Sequence, residues 1–121
     1  MINEQRTHKD SFKDAFAGLR WTIQTQPNFR IHLILSVLAL MLGFVLQITF
    51  VEMAIIIFTI ILGLTAEMIN TSIEAMTDLI TKERREDAKI AKDVAAGMML
   101  LTALGAVIVA VCIFIPYFIS L

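Results

Sequence analysis

Between Glu67 and Asp78 the chain reads E-M-I-N-T-S-I-E-A-M-T-D. At 100° per residue, Glu67, Asn70, Thr71, Glu74 and Asp78 fall within one stripe about 100° wide, so three carboxylates and an amide share a helix face. Such oxygen donors suit hard divalent cations. Mg²⁺ takes one or two carboxylates, keeps several waters and completes its shell with substrate phosphates. A carboxylate can also accept the proton of an attacking hydroxyl. A second group, A-K-I-A-K-D-V-A-A-G at 88 to 97, answers the first. Ala95, Ala96 and Gly97 permit close helix approach, which would bring Lys92 and Asp93 beside the stripe. Lys92 then offers a mobile point charge to a phosphate.

Glu67 and Asn70 directly follow an apolar run, residues 53 to 66, broken by little more than Thr59, Gly63 and Thr65. A carboxylate at mid-membrane costs about 2.5 to 3.5 kcal/mol, so a helix that merely had to span would do better without one. The competing explanation needs no chemistry: a solvated helix end beyond the membrane, or polar packing between helices. No phosphate loop of the G-x-x-x-x-G-K-[ST] type is present. The residues by themselves therefore reach a metal-binding or ion-handling site at a membrane face.

The elements that must carry this stripe are helical and mostly apolar. Phe12, Ala15, Phe16, Leu19 and Ile23 recur at helical spacing opposite Lys13, Asp14, Arg20 and Gln24. They predict an amphipathic surface helix over about 11–24, with Ser11 and Asp14 as its capping pair. Pro27 interrupts the backbone hydrogen bonding and lets the chain turn from lying flat to diving. A first span is expected over about 29–48, with Arg30 and His32 at its interfacial edge, where polar side chains reach the headgroups. A very short turn makes the second helix, about 51–80, its antiparallel neighbour. That helix would be about 45 Å long, more than a bilayer core, so its acidic end projects. After a charged connection, residues 81 to 88, a third span runs over about 88–119, kinked or ended by Pro116, with Tyr117 and Phe118 as an aromatic anchor.

The expected fold class is all-α integral membrane, with three transmembrane helices plus an N-terminal amphipathic surface helix in one domain over 1–121. The composition agrees: the 121 residues are 58% hydrophobic and 17% charged, too apolar for a soluble domain of this size. The net charge of -1 hides a segregation of charge into two regions and argues for no particular partner. The one cysteine, Cys112, excludes an internal disulfide and reads as a lipid-facing or packing residue. With some thirty polar and amphipathic residues before the first apolar run, the N-terminus does not read as a signal peptide. All ten Lys and Arg residues (Arg6, Lys9, Lys13, Arg20, Arg30, Lys82, Arg84, Arg85, Lys89 and Lys92) lie in the N-terminal segment or the second connection. The positive-inside rule makes those regions cytoplasmic, the C-terminus external, and a bacterial inner membrane the expected location.

The run Glu67 to Asp78, followed by A-K-D-V-A-A-G at 91 to 97, closely resembles the prokaryotic diacylglycerol kinase family, which includes undecaprenol kinases. G-L-R at 18 to 20 and N-F-R-I-H at 28 to 32 support the resemblance, which covers nearly the whole chain. It implies an enzyme that uses ATP and Mg²⁺ to phosphorylate a membrane lipid hydroxyl, undecaprenol or diacylglycerol, in a homotrimer with shared active sites, and it implies no nucleic acid partner. It assigns Glu67 as general base and Glu74 as a metal ligand that also orients ATP. Asn70 and Asp78 support the nucleotide, Lys92 and Asp93 contact it, and Glu86 lies nearby. Phe16, Arg20, Phe29 and Arg30 would meet the lipid substrate, with the surface helix flanking its access. At Gln26 the family pattern has a Glu that helps hold metal; an amide brings an oxygen without the charge. The loop reads R-R-E-D-A where many relatives have a Tyr-His pair. Two other readings remain: a non-enzymatic oligomer such as a small transporter or ion pathway, and an inactive relative disabled at Gln26. A transporter should carry a carboxylate deep in a span, and residues 33 to 46 and 94 to 121 hold none.

Overall fold

The computed structural model describes residue 5 and residues 7–121; Arg6, counted above among the cationic residues, lies outside the described residues. Four helices follow one another, α1 (His8–Thr25), α2 (Pro27–Val45), α3 (Phe50–Ile80) and α4 (Glu86–Ile119). The last three are each long and apolar enough to cross a membrane.

The first helix begins three residues before the expected start. Thr7, not Ser11, is its N-cap, with Asp10 completing the capping box. Thr-His-Lys-Asp and Ser-Phe-Lys-Asp carry the same signal, and the chain uses the first; Ser11 instead donates its hydroxyl to the Thr7 carbonyl within the helix. Phe12, Phe16, Leu19, Trp21 and Ile23 all remain exposed, as an interface-lying helix requires. No basic residue stands in the last turn of α1. Arg30 of the next helix fills that role, its guanidinium donating to the carbonyls of Gln24 (3.2 Å) and Ile23 (3.5 Å). Gln26 is the hinge, C-cap of α1 and N-cap of α2, and Pro27 opens α2 where its missing N–H has no partner to lose.

The first span stops at Val45, three residues short of the expected Ile48, in a tight corner. The Ile48 N–H reaches the Gly43 carbonyl and the Gln47 N–H reaches the Phe44 carbonyl, at 3.1 and 3.2 Å, with Gln47 in the left-handed region at φ 54°. This is the Schellman pattern. Gly43 leaves room for the Ile48 and Met53 side chains that close over it: a Cβ there would stand 2.8 Å from Ile48 Cδ1 and push that tip aside. Thr49 then caps α3, with Glu52 returning to the Thr49 N–H.

Packing is concentrated between α3 and α4. Near the turn end Ile56, Ile113 and Phe114 form the buried cluster. Ala66, midway along α3, and Ala95, toward the loop end of α4, are also buried. Of the three small residues expected to allow close approach, Ala95 alone does so. Ala96 and Gly97 are exposed, and a Cβ on Gly97 would meet nothing within 4 Å. Two side-chain bonds fix the antiparallel register: Tyr117 to Glu52 at one end and Lys92 to Asp78 at the other. At 1.5 Å per residue these pins stand about 39 Å apart, beyond a 30 Å hydrocarbon core. Pro116 does not end α4, which continues to Ile119; in a spanning helix the one carbonyl it orphans is tolerated so near the terminus. Cys112 is exposed on the outer surface of the bundle.

Candidate functional site

The stripe on α3 divides by environment. Glu67 is only 4% exposed, whereas Glu74, two turns further on, is exposed. Neither carboxylate accepts a hydrogen bond or forms an ion pair with any described residue, although Lys92 lies within electrostatic reach of Glu74. Among the described residues no side-chain N or O atom is completely enclosed without a partner, so the Glu67 oxygens keep a narrow outlet. Asn70 and Thr71 are half-buried between them, and the Thr71 hydroxyl turns back to the Glu67 carbonyl at 2.9 Å.

Asp78 and Asp93 differ from the two glutamates in being paired. Lys92 Nζ donates to Asp78 Oδ1 at 2.8 Å across the two helices, and Lys89 Nζ donates to Asp93 Oδ2 at 2.5 Å within α4. The expectation that Lys92 stands beside the stripe therefore holds in the structure, while Asp93 is turned along its own helix.

Beyond this pair the α3–α4 connection is shorter than expected, with α4 starting at Glu86. Glu86 and Asp87 occupy its first turn, where negative charge complements the helix dipole. Arg85 pairs with Glu83 at 3.3 Å. A cleft of about 650 Å³ opens between the loop and the two helix ends. Asp78, Arg84, Glu86, Lys89, Lys92 and Asp93 line it, so four of the residues assigned to the nucleotide meet there. Glu74, Asn70 and Glu67 follow in that order along α3, away from the cleft and into the apolar part of the helix.

The register of the two pins sets Glu74 level with Ala95 and Ala96, and Glu67 level with Thr102 and Ala103. Glu67 and Glu74 are thus separated by about 10 Å along the axis, too far to share one ion. Among the described residues no three His, Cys, Asp or Glu side chains stand together as a metal site. Mg²⁺ does not need such a cage, and exposed Glu74, uncommitted to a cation of its own, with Asn70 one turn away, offers the hard oxygen donors it takes. The residues present fit that ion, at Glu74 and not at Glu67.

The other assigned residues lie on the α1–α2 side. Phe29 is buried, while Phe16 and Arg20 are exposed. Gln26 is half-buried, its amide donating to Thr25 Oγ1 at 3.2 Å. Arg30 is engaged by the α1 carbonyls described above. His32, expected at the headgroup edge, is half-buried instead, and its Nδ1 stands 3.6 Å from where a Cβ on Gly63 would be. The sequence reading missed the Glu52–Tyr117 bond; the antiparallel register implied by the short 81–85 loop is the signal that points to it.

The profile of the family described as Prokaryotic diacylglycerol kinase matches residues 13–114. Curated relatives include a diacylglycerol kinase of Synechocystis sp., 39% identical over 112 residues, or 92% of this chain and 64% of that protein. An undecaprenol kinase of Bacillus subtilis is 36% identical over 94% of this chain and 93% of its own length. A diacylglycerol kinase of Pseudomonas aeruginosa is 32% identical over 74% of this chain and 75% of its own. The chain thus spans less than two thirds of the cyanobacterial protein and nearly all of the Bacillus one.

Proposed function

We propose that this chain, which belongs to the prokaryotic diacylglycerol kinase family, transfers the γ-phosphate of ATP to the hydroxyl of a membrane lipid, a polyprenol or a diacylglycerol. The observation that carries this is the state of Glu67: a carboxylate 4% exposed, with no described partner, at the end of the apolar run 53 to 66. A group in that state is available to take a proton from a lipid alcohol, which reaches it from the hydrocarbon side. The alcohol oxygen attacks the γ-phosphorus, the bond from that phosphorus to the bridging oxygen breaks, ADP leaves, and Glu67 holds the proton.

Glu74 would hold Mg²⁺, which would supply positive charge to offset that of the phosphate oxygens. Lys92, poised by Asp78, contributes a second positive charge, and Asn70, Asp93 and Glu86 contact the nucleotide in and beside the cleft. Gln26 offers an amide oxygen toward the metal. Phe16, Arg20 and Phe29 flank lipid access, and Arg30 acts by holding the end of the surface helix. The loop end faces the cytoplasm, where ATP is, in keeping with the distribution of cationic residues. A homotrimer completes the site; the openness of Glu74 and the exposed Met76, Leu79 and Ile80 around it support a neighbouring copy there.

The test is transfer of labelled γ-phosphate from Mg-ATP by purified protein in lipid, with undecaprenol and diacylglycerol offered in parallel. Glu67→Gln is expected to lower kcat by about 10²- to 10⁴-fold, and Glu74→Gln to abolish turnover at ordinary Mg²⁺, both with assembly intact. Undiminished transfer in both variants would reject these roles.

A further inference from the structure

His32 is a half-buried ionisable group in a span that the chemistry proposed above leaves unused. Along α3, Met53, Ile56, Ile60, Gly63 and Glu67 fall at i, i+3, i+7, i+10 and i+14, and Phe29, His32, Ser36, Ala39 and Gly43 repeat that spacing on α2. The two rows face each other. At the turn end a Cβ on Gly43 would stand 3.1 Å from Met53 Cε, Ala39 and Ile60 pack around Ile56, and further on a Cβ on Gly63 would stand 3.6 Å from His32 Nδ1. One turn beyond Gly63 the row on α3 reaches Glu67, and one turn beyond His32 the row on α2 reaches Phe29. Both are buried, at 4% and 3% exposure.

Helical side chains lean toward the N-terminus of their own helix. Because α2 and α3 run antiparallel, Glu67 leans toward the level of Gly63 and His32 toward that of Phe29, so carboxylate and imidazole converge. Gly63 has no side chain to stand between them. Cβ positions one turn apart are about 5–6 Å from each other, a gap that one glutamate rotamer or one water closes. Neither group has a hydrogen-bond partner among the described residues. The hydroxyls nearby are spent, Ser36 on the His32 carbonyl (2.6 Å) and Thr59 on that of Ile55 (2.7 Å). Arg30 is occupied by the α1 carbonyls, and residues 33–46, 53–66 and 94–111 carry no ionisable side chain. Glu67 and His32 are left to each other.

We infer that His32 takes from Glu67 the proton that Glu67 takes from the alcohol. The O–H bond on Glu67 breaks as an N–H bond forms on the imidazole, and the carboxylate is restored for the next turnover. The imidazolium then gives the proton to water at the headgroup layer, toward which the ring leans. Glu67, so nearly enclosed, has little water of its own to do this. The inference rests on the reading of Glu67 as general base, through which His32 acts.

The experiment measures phosphotransfer from Mg-ATP to an alcohol the parent protein accepts, in bicelles, for His32→Ala with and without added imidazole. The kcat should fall at least about tenfold while KM for ATP and for the alcohol stays within about twofold. Imidazole, which fits the space the side chain leaves, should restore kcat saturably. His32→Gln keeps a hydrogen-bonding group but cannot carry a proton, so it should be as slow as His32→Ala and gain nothing from imidazole. In the Glu67→Gln background, His32→Ala should cost nothing further. An unchanged kcat in His32→Ala, a loss confined to KM, a loss that imidazole does not recover, or full activity in His32→Gln overturns the relay. If the parent phosphorylates no alcohol, or Glu67→Gln is fully active, the reading of Glu67 as base falls instead. The juxtaposition itself is read without turnover: the ring ¹⁵N signals of His32 should move on Glu67→Gln in nucleotide-free protein, and unmoved signals overturn it.

Discussion

The Tyr117 hydroxyl donates to Glu52 Oε1 at 2.5 Å, joining the last turn of α4 to the first turn of α3. Glu52 is held from its other side by the Thr49 N–H at 3.2 Å, so one carboxylate both caps a helix and fixes the register of a pair. Tyr117→Phe and Glu52→Gln should each lower the thermal midpoint in detergent, and the double variant should be no worse than the weaker single, because both remove the same bond. Additive losses would show that the two residues act separately.

Lys92 and Asp78 make the corresponding pin at the loop end, where the proposed function gives the cation a second use. Exchanging the charges, Asp78→Lys with Lys92→Asp, should bring thermal stability back close to the parent. Phosphotransfer should stay below about a tenth of the parent rate, because the swap no longer presents a cation from α4 to the phosphates. Recovery of both properties together would make Lys92 a packing residue only.

The corner at Gly43 and Gln47 offers a stability test free of chemistry. Gln47→Gly removes the strain of a left-handed non-glycine residue and should stabilise by about 0.5–1 kcal/mol. Gly43→Val forces Ile48 and Met53 aside and should destabilise by about 1–3 kcal/mol. Denaturant titration in mixed micelles reads both, and a destabilising Gln47→Gly would contradict the corner as described.

Gln26→Glu should lower the Mg²⁺ concentration needed for half-maximal turnover, because a charged oxygen replaces a neutral one at a joint between helices. The check is a Mg²⁺ titration at fixed ATP. An unchanged requirement would place position 26 outside the metal shell.

The helices, the projecting acidic end of α3 and the break at Pro27 could all be read from the residues, because apolar periodicity, length against bilayer thickness and proline geometry are local. Choices between equivalent local signals could not. Thr7 and Ser11 head the same capping pattern, and nothing near either one tells which is used. Ala95, Ala96 and Gly97 are all small, but each step turns the helix by 100°, and only the position facing α3 becomes a contact. The partner of Lys92 and the covering of Glu67 depend on the register between α3 and α4. Glu67 and Glu74 carry the same side chain on the same face, and only the neighbouring helices set their different exposure.

No large side chain of the described residues is fully enclosed, and most of the big apolar ones are open to the surroundings. A water-soluble domain draws its cohesion from an interior; here much of it is borrowed from the medium. Glu67 follows the turn-end anchor at Glu52 by about 22 Å of helix. A thinner bilayer should move that carboxylate toward the headgroups, and a thicker one should sink it deeper into oil. If Glu67 acts as proposed, the host's acyl-chain length should then control turnover through the spacing of two glutamates.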